Sequence, residues 1–211
     1  MQTSIKVKRI TRELQTLTSG QPVSDGDGVK MTRVIGTPEL NMLDPFLLFD
    51  AFETDQVQDY IGGFPDHPHR GFETVTYLLA GRIRHKDNAG HEGVIEAGGV
   101  QWMTAGKGVQ HAEMFPLLDE AEPNPLELFQ IWLNLPAANK MVEPHFTMFW
   151  NEQTPQLVSK DESQRKTRVK IVAGDLEGLN ALAPPPDSWA SGADNEVAVW
   201  IITMDANAQW T

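Results

Sequence analysis

The sequence contains no cysteine. Disulfides, thiolate zinc sites and cysteine nucleophiles are therefore excluded together, and the absence fits a reducing compartment. Basic residues are scarce. There are 17 Lys and Arg against 29 Asp and Glu, for a formal net charge of −12. So acidic a chain is a poor general binder of nucleic acid or of an anionic membrane. Its one basic cluster, Lys6, Lys8, Arg9 and Arg12, is short and reads as the solvated face of a strand. No run approaches the roughly 18 apolar residues of a membrane-spanning helix. Residues 1–30 carry no signal-peptide pattern. These absences lead to the expectation of a cytoplasmic protein that contacts neither membrane nor nucleic acid directly. Helical periodicity is scarce too. Residues 137–142 and 159–166 offer one turn each.

What is present is a period of two. Hydrophobic residues make up 40% of the chain and charged residues 22%, a globular balance with enough apolar material for a core. Residues 4–8, Ser-Ile-Lys-Val-Lys, alternate as a half-buried strand should. Residues 31–35, 45–52, 73–79, 82–86, 94–96, 100–104, 109–114 and 126–135 supply further short strands. In the run 73–79, the β-branched Thr74, Val75 and Thr76 and the aromatic Tyr77 favour extended backbone. Turn chemistry separates the strands, as at Gly81, Asp87-Asn88-Ala89-Gly90 and Gly98-Gly99. Short strands with glycine-rich turns at about ten-residue spacing predict a sandwich or barrel. The composition changes near residue 150. Residues 151–168 are polar and read as a linker. Residues 169–172 and 197–203 look like new strands, separated by a loop that must contain Ala183-Pro184-Pro185-Pro186-Asp187. The expected organisation is a unit over 1–150 and a linker with a partial second unit over 151–211.

Six histidines are present, and three of them fall in two closely spaced pairs. His67-Pro68-His69 is a His-x-His pair and His111-Ala112-Glu113 a His-x-Glu pair. Residues i and i+2 of a strand share a face. If the two strands face each other inside a barrel, three imidazoles and a carboxylate converge. That set suits a borderline divalent metal such as iron, manganese, copper, nickel or zinc. His85 and His91 flank the turn at 88–90 and read as solvent-exposed hairpin residues. His145 has no assigned role. Glu73 lies four residues after His69, in the same alternation. It is open to three readings: a fourth ligand, an acceptor for a histidine N–H, or an inward polar residue. Trp102, Met103 and Met114 lie near the candidate ligands, as pocket walls or as ordinary core.

The residues resemble the cupin superfamily. Gly62 or Gly63, His67-x-His69, Glu73 and Gly81 are similar to its first motif; Gly98-Gly99, Gly106-Lys107-Gly108 and His111 are similar to its second. The resemblance to the pirin family is closer. It runs through residues 67–79, His-Pro-His-Arg-Gly-Phe-Glu-Thr-Val-Thr-Tyr-Leu-Leu, and 101–114, Gln-Trp-Met-Thr-Ala-Gly-Lys-Gly-Val-Gln-His-Ala-Glu-Met. It continues in 128–135 and 140–144, so that the blocks span about half the chain. The resemblance implies an all-β fold of the double-stranded β-helix, or jelly-roll barrel, type. The N-terminal barrel would be complete and the C-terminal one represented in part. It implies His67, His69, His111 and Glu113 as metal ligands, where the general cupin pattern would nominate Glu73. The general second motif also has an asparagine four residues after its histidine; Phe115 stands there, which points to the pirin branch.

Two functions follow from the resemblance. One is a quercetin 2,3-dioxygenase type of activity on a small aromatic polyphenol with O2, using iron(II) foremost or Mn, Cu, Ni or Zn, with Glu113 as general base. The other is a metal- or redox-gated interaction with a protein partner, without physiological catalysis. A purely structural metal is the simplest third account. The ligand types alone predict metal affinity falling below about pH 6.5, where free imidazoles take up protons.

Overall fold

The computed structural model describes residues 16–210. The strand foreseen at residues 4–8 and the basic cluster lie outside them. The described chain is all-β apart from short 3-10 turns, and no helix among the described residues is long and apolar enough to cross a membrane. Its strands are β1 (Gln21–Asp25), β2 (Val29–Ile35), β3 (Phe46–Thr54), β4 (Phe64–His69), β5 (Phe72–Ala80), β6 (Arg82–Asp87), β7 (Glu92–Glu96) and β8 (Val100–Thr104). They continue as β9 (Val109–Met114), β10 (Leu126–Asn134), β11 (His145–Phe149), β12 (Gln156–Lys160), β13 (Lys166–Ala173), β14 (Asp175–Leu176), β15 (Leu179–Asn180) and β16 (Val199–Met204).

Seven strands form one sheet in the order β1-β2-β3-β10-β5-β8-β11, and four form a second in the order β4-β9-β6-β7. The apolar phase of both sheets points to a common core. Met31, Phe52, Leu78 and Leu128 from the large sheet pack with Ile83 and Ile95 from the small one. Leu78, Ile83 and Ile95 are essentially inaccessible, each contributing about 2 kcal/mol by burial. No strand ladder joins the two sheets among the described residues, so the barrel is a sandwich closed by packing.

The outer face of the large sheet is also apolar. Val75, Trp102, Leu133 and Phe149 pack against Val172 and Ala173 of a three-stranded sheet, β12-β13-β16, and against Val199 and Ile201. The C-terminal run 197–203 therefore has a partner: β16 pairs with β13 and buries one face, leaving Trp200, Ile202 and Met204 exposed on the other. Two sequence expectations change. The polar stretch 151–168 contains β12, the start of β13 and a tight turn, so it is no linker. The turn foreseen at 159–166 is not helical; Asp161 caps a hairpin bend by accepting hydrogen bonds from the Ser163 and Arg165 backbone N–H groups. Residues 137–142 keep one turn, a 3-10 helix at Ala137–Asn139.

One glycine decides how the sheets are connected. Gly71 sits between β4 and β5 at φ +78°, a left-handed conformation that β-carbons disfavour. There the chain turns from the small sheet into the large one, and the side-chain alternation restarts.

Candidate metal centre

β4 and β9 are antiparallel neighbours with His67 directly opposite His111. The expected pairs therefore sit side by side on one sheet rather than on strands facing across a barrel. Opposite residues of a ladder share a face, so His67, His69, His111 and Glu113 all point to the inner side of the small sheet. The ring centroids of His67, His69 and His111 lie 4.4 to 4.9 Å apart, and one ligand atom from each falls within 4.8 Å of the others. His67 Nδ1 donates to the Pro65 carbonyl at 2.8 Å, which leaves its Nε2 as a lone pair. His111 Nε2 is buried with no hydrogen-bond partner. Burial, then the neighbouring His111 and His67, lowers His69 to about 3; burial, then His67 and His85, lowers His111 to about 3. Both rings are thus kept neutral, as metal ligation requires. The pH 6.5 threshold expected for free imidazoles consequently moves well downward for these two rings.

Glu113 is 3% exposed. Its Oε1 accepts from Gln101 Nε2 at 3.3 Å and its Oε2 from Gln130 Nε2 at 3.1 Å, both reaching down from the large sheet. Glu113 falls within 4.8 Å of a second set, with His85 and His111, rather than of the set that contains His67 and His69.

Glu73 is elsewhere. Because alternation restarts at Gly71, its side chain lies on the outer face of the large sheet, under the C-terminal segment. Its Oε1 accepts from Thr104 Oγ1 at 2.7 Å and its Oε2 from Ser188 Oγ at 2.5 Å. Burial pushes it up to about 7, against the hydroxyl hydrogen bonds that favour the anion. It belongs to none of the metal-capable sets among the described residues.

His85 is not an exposed hairpin residue. It is fully buried, directly opposite Glu113 in the β6–β9 ladder, with its Nδ1 3.2 Å from His111 Nδ1. His91 does reach the surface, its side chain 36% exposed. His145 opens β11, with its ring Nε2 2.9 Å from Thr147 Oγ1. Trp102 and Met103 are core residues, and Met114 is exposed on the outer side of β9.

A cavity of about 360 Å³ opens beside the imidazoles, lined among others by His67, His69, Glu113, Gln130, Phe72 and Trp132. The Phe72 and Trp132 rings stack at 4.6 Å, and each lies edge-on to His69 at 5.1 to 5.2 Å. Arg33 also lines it, held by a two-point ion pair to buried Asp50 with both contacts at 2.8 Å. Gln101, Gln130, Trp132, Phe72, Arg33 and Asp50 do not stand out as site residues in the sequence. Their signal is a polar or aromatic residue at the inward phase of an apolar strand, visible once the facing sheet is known.

A sandwich with three imidazoles and a carboxylate on the inner face of its smaller sheet defines a cupin-type, metal-capable β protein. The family model described as Pirin matches residues 28–133. A pirin-like protein from Caulobacter vibrioides is 51% identical over 166 residues, covering 79% of this chain and 57% of the relative. Human pirin is 46% identical over 159 residues, covering 75% of this chain and 50% of its own length. A crystal structure of a quercetin 2,3-dioxygenase from Acinetobacter baumannii superposes with a TM-score of 0.66 at 31% identity, over 79% of this chain and 58% of that one. The chain belongs to the pirin family. It spans little more than half the length of these relatives.

Proposed function

We propose that the chain is the metal-binding part of a dioxygenase that opens a flavonol-type polyphenol with O2. His67, His69 and His111 would hold one divalent transition metal, iron(II) foremost, with Glu113 as fourth ligand and proton acceptor. The observation that carries this reading is the buried, unpartnered Nε2 of His111 beside two further imidazoles. An orphaned buried nitrogen costs about 1–3 kcal/mol, and an ion at that point would offset the cost. Neutral imidazoles with one carboxylate fit borderline metals. The likeness to a quercetin 2,3-dioxygenase structure supports the reaction class.

Bound there, the ion supplies Lewis acidity and one-electron chemistry. The protein's own groups do the rest. Phe72 and Trp132 give a planar ring an aromatic wall. Arg33, fixed by Asp50, stands on the cavity wall as a polar group beside that ring. The Gln101 and Gln130 amides hold the Glu113 carboxylate in place, where it takes the hydroxyl proton of the substrate. We also propose the division of the chain near residue 150, with the second unit clamped to the first through Trp102, Val172 and the Glu73–Ser188 contact.

The test is oxygen uptake with quercetin after reconstitution with iron(II), manganese(II), copper(II) or nickel(II), beside His111→Ala. Flavonol-dependent uptake in the parent, abolished in the variant, is expected. A parent that binds metal yet consumes no oxygen with any of the four would overturn the dioxygenase reading.

A further inference from the structure

The inner face of the small sheet carries a hydrogen-bonded row that continues outward from His111. In the β6–β9 ladder, Asp87 stands opposite His111 and His85 opposite Glu113. From His111 Nδ1 the contacts run to His85 Nδ1 at 3.2 Å, from His85 Nε2 to Asp87 Oδ2 at 3.3 Å, and from Asp87 Oδ2 to His91 Nδ1 at 2.8 Å. His85 and His111 are wholly buried and Asp87 is 8% exposed, while His91 meets solvent.

The proton positions in this row follow from what each group can donate. An ionised carboxylate only accepts, so His85 Nε2 and His91 Nδ1 must each carry a proton toward Asp87. A single proton fits between the two Nδ1 atoms. Placed on His85, it would make that ring a cation inside the protein, which is costly. Placed on His111, it leaves both rings neutral. His111 then has its lone pair on Nε2, the buried atom without a partner.

The row is held from both ends. Asp87 Oδ1 accepts from the backbone N–H groups of Ala89 and His91, at 2.9 Å each. The turn is tied to β9 beside His111 by Asn88 N to the Gln110 carbonyl and by Gln110 N to Asn88 Oδ1. Phe146, from the large sheet, stacks on His85 at 4.6 Å and on His91 at 5.5 Å.

We propose that His85 and Asp87, with His91 as outer support, form a positioning relay that fixes the tautomer and ring orientation of His111 so that Nε2 faces the metal. The inference rests on the metal site proposed above and assigns roles to three residues outside it. It also gives the β6–β7 turn a purpose, as the outer anchor of a ligand.

Asp87→Asn makes the sharpest variant. If the amide oxygen of the substituted side chain keeps the two backbone N–H bonds, its NH2 group faces His85 and His91. His85 must then accept at Nε2 and donate from Nδ1, and His111 becomes protonated at Nε2. The relay runs backwards, with nearly the same shape.

Histidine ¹⁵N–¹H correlation spectra of the metal-free protein read the tautomers directly, and chelator competition with cobalt(II) reads affinity. The expected spectrum of the parent shows His111 protonated at Nδ1. Asp87→Asn should move that proton to Nε2, and both Asp87→Asn and His85→Phe should weaken cobalt binding roughly 10- to 100-fold. His91→Gln should have a smaller effect in the same direction. An unchanged His111 tautomer and unchanged affinity in Asp87→Asn, folded like the parent, would overturn the relay. So would two cobalt ions per chain with one lost in His85→Phe, because His85 would then be a ligand. A parent that binds no cobalt would count against the metal site itself, while the metal-free spectra would still decide the relay.

Discussion

Two buried glutamates divide this molecule between them. Glu113 sits on the inner face of the small sheet among imidazoles, held by the amides of Gln101 and Gln130. Glu73 sits on the outer face of the large sheet among hydroxyls, held by Thr104 and Ser188. Both are inaccessible, both follow a histidine on a β-strand, and either could have been named as a ligand. The difference between them is one residue. Gly71 lies between His69 and Glu73 and resets the alternation, whereas nothing interrupts β9 between His111 and Glu113. Spacing along a strand carries geometric meaning only while the strand lasts.

The comparison can be broken most directly by metal retention. His111→Ala should retain less than about a tenth of the metal held by the parent, and Glu113→Gln should weaken it roughly 10- to 100-fold. Glu73→Gln should hold metal as the parent does, by elemental analysis. Equal losses in Glu113→Gln and Glu73→Gln would erase the distinction.

Stability against pH should separate the two next. The carboxyl of Glu73 is raised from 4.5 to about 7 in the folded chain. Between those values the folded protein holds a proton that the unfolded chain has released. Its contribution is therefore fully present below about 4.5 and is lost as pH rises through about 7. Glu73→Gln should remove that slope and gain on the parent by up to about 3 kcal/mol at pH 8, measured by urea unfolding of the metal-free proteins. A parallel pair of curves would show that Glu73 is ionised without cost.

The imidazole face predicts the opposite slope. His69 and His111 are lowered to about 3 in the folded chain, so unfolding takes up protons below about 6.5. Metal-free stability should fall as pH drops from about 6.5 toward 3, and bound metal should steepen the fall. A flat urea midpoint across that range would mean that these rings are solvated. The smallest effect is expected at the staple itself. Ser188→Ala removes one donor from Glu73 and should cost about 1–2 kcal/mol with unchanged metal content.

These contrasts also explain what was legible in the sequence. The strands were, because period-two alternation and glycine turns are local signals. The His-x-His and His-x-Glu pairs were, because two-residue spacing on an unbroken strand places side chains on one face. Which faces meet was not. Gln101 and Gln130 look like surface polar residues until the small sheet is laid over them, and His85 sits next to a turn that suggests exposure. Its burial comes from Phe146, more than 60 residues further on. The polar stretch at 151–168 misled for a related reason. β12 is a two-sided strand with exposed Gln156, Val158 and Lys160, and its pairing with β13 is not written in its own composition.

The ladder that sets His67 opposite His111 and Asp87 opposite the same residue has a thermodynamic consequence. The donor atoms are brought together by the backbone hydrogen bonds of the β4–β9 and β6–β9 ladders. Little ordering is left for binding to accomplish, in contrast to small domains that fold around their metal. Calorimetry of metal addition should therefore show a small heat-capacity change and little new protection of backbone amides, with desolvation of the ion dominating the heat. For the proposed metal, the ladder would serve as a socket built in advance, with the ion as its last component.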